Sequence, residues 1–226
     1  MQIGILECGH FPTAEGYPEQ TYGELYATFL SGRGLTFRTW SVVDMEFPDT
    51  IEAADGWLIT GSKHGAYEDL PFIPPLEKFL RDAYAADRPI VGICFGHQIL
   101  AQALGGKVEK FDGGWALGRQ TYELDGRPVA LNAWHQDQVT EAPADAQTVG
   151  SNPFCAHAAL SYKGRAFSVQ AHPEFNDGHV ELLLNVRRAA LSDAQAEDVR
   201  NALGQSLSNT DLAERITRFF KEPANV

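Results

Sequence analysis

Residues 89–105 read Pro-Ile-Val-Gly-Ile-Cys-Phe-Gly-His-Gln-Ile-Leu-Ala-Gln-Ala-Leu-Gly. A short apolar run (Ile90, Val91, Ile93) predicts a buried strand that stops at Cys94. Gln98, Ile99, Ala101, Gln102, Ala103 and Leu104 then recur with helical spacing until Gly105 and Gly106. Cys94 therefore sits on a sharp strand-to-helix turn between Gly92 and Gly96, where a side chain at either glycine would crowd the chain. Such a turn lifts the sulfur out of the sheet edge onto a helix N-terminus. Unpaired N–H groups and the helix dipole there favour the thiolate, the form that attacks carbonyls. Cys94 reads as a nucleophile. Alone, the pattern balances that reading against a small buried hydrophobe, the commoner state of a lone cysteine.

A second segment tips the balance. Residues 166–175 read Ala-Phe-Ser-Val-Gln-Ala-His-Pro-Glu-Phe. Phe167, Val169 and Ala171 alternate with Ser168 and Gln170, which predicts a strand ending at His172-Pro173-Glu174. Proline ends the ladder and is expected to hold the chain extended, so that His172 and Glu174 point the same way. A cysteine nucleophile needs a base to take its proton and return it to the leaving group. That base needs a carboxylate to set its tautomer. Cys94, His172 and Glu174 are the candidates for these three roles.

With both segments in view, the chain resembles the class I (triad-type) glutamine amidotransferases. The resemblance rests on G-x-C-x-G-x-Q, here Gly92 to Gln98, and on H-P-E, here His172 to Glu174, about eighty residues apart in an alternating α/β chain. It covers roughly residues 1–175 and is nearest to the amidotransferase domain of GMP synthetases and small free-standing proteins similar to it. It implies hydrolysis of glutamine to glutamate and ammonia through a γ-glutamyl thioester on Cys94. It also implies an oxyanion hole of backbone N–H groups, one from Phe95 and one from the loop Gly61-Ser62-Lys63. Because that loop departs from the family's Gly-Gly-Pro, either Gly61 or Ser62 is the donor. The stretch Ala133-Trp134-His135-Gln136-Asp137 resembles the family's Ser-His-Gly-Asp segment bordering the glutamine pocket. Gln98, His135, Gln136 and Asp137 are the substrate-binding candidates on that basis. Gln136 stands where the family has glycine, and His135 reads equally well as a loop-capping histidine.

Composition narrows the class. The 226 residues are 44% hydrophobic and carry a net charge of −12. A chain of this length can bury a single substantial α/β core, or at most two small ones. No apolar run nears the roughly eighteen residues of a membrane span. The N-terminus lacks a basic signal-peptide region and begins directly on a strand. The negative charge argues against nucleic acid, whose phosphates call for clustered lysine and arginine. Three scattered cysteines (Cys8, Cys94, Cys155) suggest neither a disulfide framework nor a zinc site, and a reducing cytoplasm is expected. Neither a metal nor a cofactor is implied. His172, Glu174, Asp177 and His179 could be read as metal ligands, but their spacing suits zinc poorly. Cys8-Gly9-His10 reads as a loop bordering the pocket. His64, His97 and His157 carry no assignable role.

Working outward, strands are expected at Ile3–Leu6, Leu35–Val42 and Trp57–Thr60, with helices at Tyr22–Leu30 and Pro74–Ala86. From about Gly106 the pattern turns to strands at Val108–Phe111, Thr121–Leu124 and Val129–Ala133, and to a hairpin over Leu160–Phe167 turning at Lys163-Gly164. The expected fold is α/β: a mostly parallel, doubly wound, flavodoxin-like sheet with helices on both faces, added antiparallel strands, and a C-terminal helical extension. A single domain is expected over 1–226, with core 1–175 and extension 176–226. In that extension Val180–Leu191 is amphipathic, Ser192 and Gln195 form a capping box, and Asn209 or Thr210 caps a last helix bearing Leu212, Ile216, Phe219 and Phe220.

The chain carries no phosphate-loop or pyrophosphatase signature. Three functions follow: a glutaminase supplying ammonia to a synthetase partner in trans, a free-standing hydrolase of γ-glutamyl amides or peptides, or a non-catalytic binding protein on the same fold. The intact triad candidates weigh against the last.

Overall fold

A computed structural model describes residues 1–222, so the last four residues of the extension lie outside the described residues. The elements in chain order are β1 (Gln2–Leu6), α1 (Tyr22–Phe29), β2 (Thr36–Trp40), β3 (Gly56–Ile59), α2 (Ile73–Ala85), β4 (Ile90–Ile93), α3 (Phe95–Ala103), β5 (Lys107–Lys110), β6 (Ala116–Leu124), β7 (Arg127–His135), β8 (Asp137–Glu141), β9 (Gln147–Ser151), β10 (Ala159–Tyr162), β11 (Ala166–Val169), α4 (Asp177–Val186), α5 (Asp193–Ala202) and α6 (Asn209–Lys221). Nine strands form one sheet in the order β2-β1-β3-β4-β11-β10-β9-β6-β7, and β5 and β8 form a separate antiparallel pair. The β2 to β11 half is parallel, and from β11 to β7 every pairing is antiparallel. The antiparallel strands thus extend one edge of the parallel sheet.

Burial explains the sequence of the central strands. All four residues of β3, β4 and β11 are buried, as strands covered on both faces must be. Their side chains alternate between two cores. Ile3, Ile5, Leu58, Val91 and Ile93 face one cluster with α1, α4 and α6. Leu6, Trp57, Ile59 and Ile90 face the other with α2 and α3. Gly4 is required by this packing, because a Cβ there would lie 2.2 Å from the Trp57 ring.

The extension is integral to the first core. Leu212, Ala213, Ile216, Phe219 and Phe220 of α6 are buried beside Ile3, Ile5 and Phe167, and Arg215 lies over the Phe167 ring. The expected Ser192–Gln195 capping box is present on α5. The expected cap of α6 is not. Ser208 holds the N-cap position without a side-chain cap bond. Its Oγ accepts instead from Ala130 N (3.2 Å), and the Asn209 amide donates to Phe175 O (2.9 Å). Both side chains are spent on tertiary bonds that fasten α6 to β7 and to the turn after His172. Helix α4 also ends earlier than its apolar pattern suggests, at Val186, followed by a short 3-10 turn over Arg188–Ala190.

Replacing Phe220 by Ala removes a large side chain with 1% exposure and should cost about 3–5 kcal/mol. Denaturant unfolding should show this as a shifted midpoint of one cooperative transition. A loss below about 1 kcal/mol would mean that α6 is dispensable to the core.

Candidate active site

Three strand ends converge on Cys94. Its backbone has φ 55° and ψ −105°, a region non-glycine residues avoid at a cost of about 1–3 kcal/mol. The neighbours that hold it there are hydrogen bonds from Cys94 N to Val169 O (2.9 Å), Gly96 N to Thr60 O (3.1 Å) and Gln98 N to Cys94 O (3.1 Å). The flanking glycines are sterically obligatory. A Cβ at Gly92 would lie 2.4 Å from Gly96 O, and one at Gly96 would lie 2.3 Å from Ile59 O. Phe95 opens α3, so its N–H has no acceptor within the helix and lies next to the thiol.

The imidazole of His172 is fixed on three sides. Its backbone N donates to Asn132 O (2.8 Å), and its ring stacks flat on Phe175 at 4.0 Å between centroids. Its Nδ1 lies 2.6 Å from Glu174 Oε1. With Nδ1 as the donor to the carboxylate, Nε2 is left to face the thiol. The segment is not extended as expected. Phe175 N donates to His172 O (3.2 Å), closing a β-turn with Pro173 at its second position, where proline's fixed φ fits. The turn brings Glu174 back beneath the imidazole, and strand β11 stops earlier, at Val169.

Glu174 Oε1 has a second donor that the sequence did not reveal. Tyr26 Oη donates to it at 2.7 Å and in turn accepts from Gly61 N at 3.4 Å. Tyr26 sits on the apolar face of α1, where it is indistinguishable by spacing from any core aromatic. Burial disfavours a charged His172. The adjoining Cys94 and Glu174 side chains outweigh it and push His172 up to about 10.

A cavity of about 390 Å³ opens above the thiol, lined by Cys94, His172, Ser62, Gln98, His135, Gln136 and Asp137 among others. Glu174, Gly61 and Phe95 stand behind this surface. A Cβ at Gly61 would lie 2.9 Å from His172 Cε1, so only glycine fits against the imidazole. Of the two loop candidates, Gly61 turns its N–H to Tyr26, whereas Ser62 lines the cavity.

The pocket candidates are largely committed to each other. The Gln98 amide donates to Asp137 O (2.9 Å) and Gln170 Oε1 (3.2 Å). Gln136 exchanges bonds with Phe111, donating from Nε2 (3.2 Å) and accepting at its carbonyl (3.3 Å). His135 Nδ1 lies 3.2 Å from Asp137 O, which can only accept. Burial, and His172 nearby, push His135 down to about 3, so it stays neutral. Asp137 accepts from Tyr67 Oη (3.1 Å), and burial raises its pKa.

Other sequence candidates lie elsewhere or serve the fold. His10 lines the cavity mouth, 3.3 Å from the Asp44 carboxylate, whereas the Cys8 thiol is buried and donates to Leu6 O. His179 accepts from Asn176 N (3.0 Å) in the cap of α4, and Asp177 accepts from Gly204 N (2.8 Å). Among the described residues no group of three His, Cys, Asp or Glu side chains is placed to hold a metal ion, and no helix is long and apolar enough to cross a membrane. Tyr22 and Arg187 line the cavity without having been singled out by the sequence.

Comparison with known proteins agrees with this architecture. The sequence profile described as "Glutamine amidotransferase class-I" matches residues 34–183. Gamma-glutamyl peptidase 3 of Arabidopsis thaliana is 30% identical over 180 residues, covering 71% of this chain and 72% of the relative. The glutamine-hydrolyzing GMP synthase of Staphylococcus saprophyticus is 32% identical over 173 residues, covering 66% of this chain and 32% of the relative. In fold, a glutamine amido transferase from Methylobacillus flagellatus superposes with a TM-score of 0.73 at 20% identity, covering 99% of this chain and 92% of the other.

The elevated pKa of His172 depends on its neighbours Cys94 and Glu174. Replacing Cys94 by Ser removes the larger favourable contribution and leaves the burial penalty. The His172 ring should then titrate well below its position near 10. NMR titration of the imidazole checks this, and an unchanged titration would contradict the geometry.

Proposed function

Taking as premise that the chain belongs to the class I glutamine amidotransferase family, we propose that it is a thiol hydrolase of γ-glutamyl compounds, with Cys94 as nucleophile, His172 as general base and acid, and Glu174 as the carboxylate that orients His172. The observation that carries this reading is that Cys94 and His172 line one cavity while Glu174, behind its surface, holds His172 Nδ1 at 2.6 Å.

In this mechanism Cys94 Sγ, as thiolate beside protonated His172, attacks the γ-carbonyl carbon. The C–S bond forms as the carbonyl π pair moves to oxygen. N–H groups of Phe95 and Ser62 receive that oxyanion; one such preorganised donor accounts for ~3–4 kcal/mol of barrier lowering. The C–N bond then breaks, His172 Nε2 gives its proton to the leaving amine, and a γ-glutamyl thioester remains. Neutral His172 next takes a proton from water, which attacks the thioester. Glutamate leaves and Cys94 is regenerated as the thiolate. Asp137, with Gln98, His135 and Gln136 holding its segment in place, receives the amino acid end of the substrate.

Two substrate classes share this chemistry. The volume of about 390 Å³ lies in the range of pockets for ligands larger than a single amino acid. Together with relatives named gamma-glutamyl peptidase, it favours γ-glutamyl peptides or amides as substrate. A second reading, glutamine hydrolysis with ammonia passed to a synthetase partner in trans, is favoured by the match to part of GMP synthases. We take the whole chain as one catalytic unit, since α6 shares the core behind the triad. A reducing cytoplasm suits an enzyme whose three cysteines are all unpaired.

Cys94→Ala should abolish glutamate release while the chain stays folded. Glu174→Ala should lose about 10²-fold in kcat yet remain measurable. Tyr26→Phe, which leaves one donor fewer on Glu174 Oε1, should lose about tenfold in kcat with little change in KM. Glutamate release from glutamine and from a panel of γ-glutamyl amides and dipeptides checks all three. Faster turnover of the dipeptides supports the peptidase reading. Activity retained by Cys94→Ala would contradict the mechanism.

A further inference from the structure

The family match ends at Leu183, but the cavity does not: Arg187, Ala190 and Leu191 also line it beside Cys94. The early end of α4 at Val186 makes this possible. The chain leaves the helix at Arg187, makes one 3-10 turn, and becomes extended at Leu191. Arg188 pins that turn by donating to Leu191 O (2.9 Å) and pairing with Asp193. Arg187 lines the cavity and, among the described residues, makes no ion pair.

The charges around the cavity are unevenly placed. Its two acids, Glu68 and Asp137, belong to one wall with Tyr67 and Lys110; Tyr67 bonds Asp137, whose charge neighbours are Lys110 and Glu68. A second group of lining residues is Tyr22, Trp134, Leu191 and Arg187. Tyr22 lines the cavity with Cys94 and Arg187 and feels the charges of both. Trp134 packs on the cluster of Leu184, Leu191 and Val199, which gives this wall an apolar base. A protein of net charge −12 thus lines its cavity with an arginine that, like Lys63, makes no ion pair among the described residues, and that shares this part of the lining with the apolar Trp134 and Leu191.

We infer that this second wall is the leaving-group subsite, and that it takes an amine bearing its own carboxylate: the residue that follows the glutamyl group in a γ-glutamyl peptide. The inference rests on the γ-glutamyl hydrolase reading above. The glutamyl α-ammonium and α-carboxylate find opposite charges on the first wall, in Asp137 and Lys110. The carboxylate of the departing amino acid finds the planar guanidinium of Arg187, whose paired N–H groups match it in geometry. Its side chain rests on Trp134 and Leu191. Ammonia, the leaving group of glutamine, would use none of these contacts.

The test compares a γ-glutamyl dipeptide having a free C-terminal carboxylate with the same dipeptide as its C-terminal amide, using the full chain. The wild type should favour the free acid by about tenfold in kcat/KM, the scale of one charge-assisted hydrogen-bonded contact. In Arg187→Gln that ratio should fall to near one, chiefly through a higher KM for the acid, and Arg187→Lys should give an intermediate ratio. A wild-type ratio near one, with both peptides hydrolysed, would overturn the subsite alone. So would an Arg187→Gln variant that slows acid and amide in the same proportion, because Arg187 would then hold the glutamyl end. Failure of the wild type to release glutamate from either peptide would instead overturn the hydrolase reading beneath it.

Discussion

The strained backbone at Cys94 is the constraint on which the rest of the site depends. A residue with a side chain is held at φ 55° only because the ends of β3 and β11 grip the turn through Thr60 O and Val169 O. Gly92 and Gly96 supply the clearance, since a Cβ at either would drive into backbone. The parallel order of β3, β4 and β11 brings these strand ends together on one edge, where open α/β sheets place their ligands. The loops after them deliver Gly61, Cys94 and His172 to one point. The position of Cys94 is thus fixed by sheet topology, and the extension helps by filling the core behind it.

Electrostatics complete what the turn begins. Glu174 and His172 are 5% and 2% exposed, and a buried charge is costly unless partnered. Glu174 Oε1 receives two hydrogen bonds, from His172 and Tyr26, while its Oε2 is buried without a partner. This one-sided arrangement concentrates the carboxylate on the imidazole. Tyr26 links it on to Gly61, so His172 and the Gly61 loop share one hydrogen-bonded chain. A shift in either would be felt by the other.

Some of this was legible in the sequence, for identifiable reasons. The turn at Cys94 could be read because two glycines at fixed spacing have a steric cause, and the buried strands because continuous apolar runs are short. His172 and Glu174 were legible as a pair but not in conformation: Pro173 fits an extended chain and a turn equally, and the bond from Phe175 N decides for the turn. Tyr26 was invisible, since an aromatic on a helix face signals core whether or not its hydroxyl meets a carboxylate. Strand β8 was missed because Asp137–Glu141 is polar apart from Val139 and its last two residues face solvent. Arg187 was missed because α4 breaks without a Pro or Gly. The ends of α6 misled for a related reason, as Ser208 and Asn209 have the chemistry of caps but spend it on Ala130 and Phe175.

The proposed mechanism turns on a covalent step at Cys94. Rapid acid quenching of the chain during turnover of a γ-glutamyl peptide, followed by mass spectrometry of its peptides, reads that step directly. A γ-glutamyl group attached to the peptide containing Cys94, transient in the wild type and absent from Cys94→Ala, is the predicted result. Glutamate release at the wild-type rate with the adduct on another residue would contradict it.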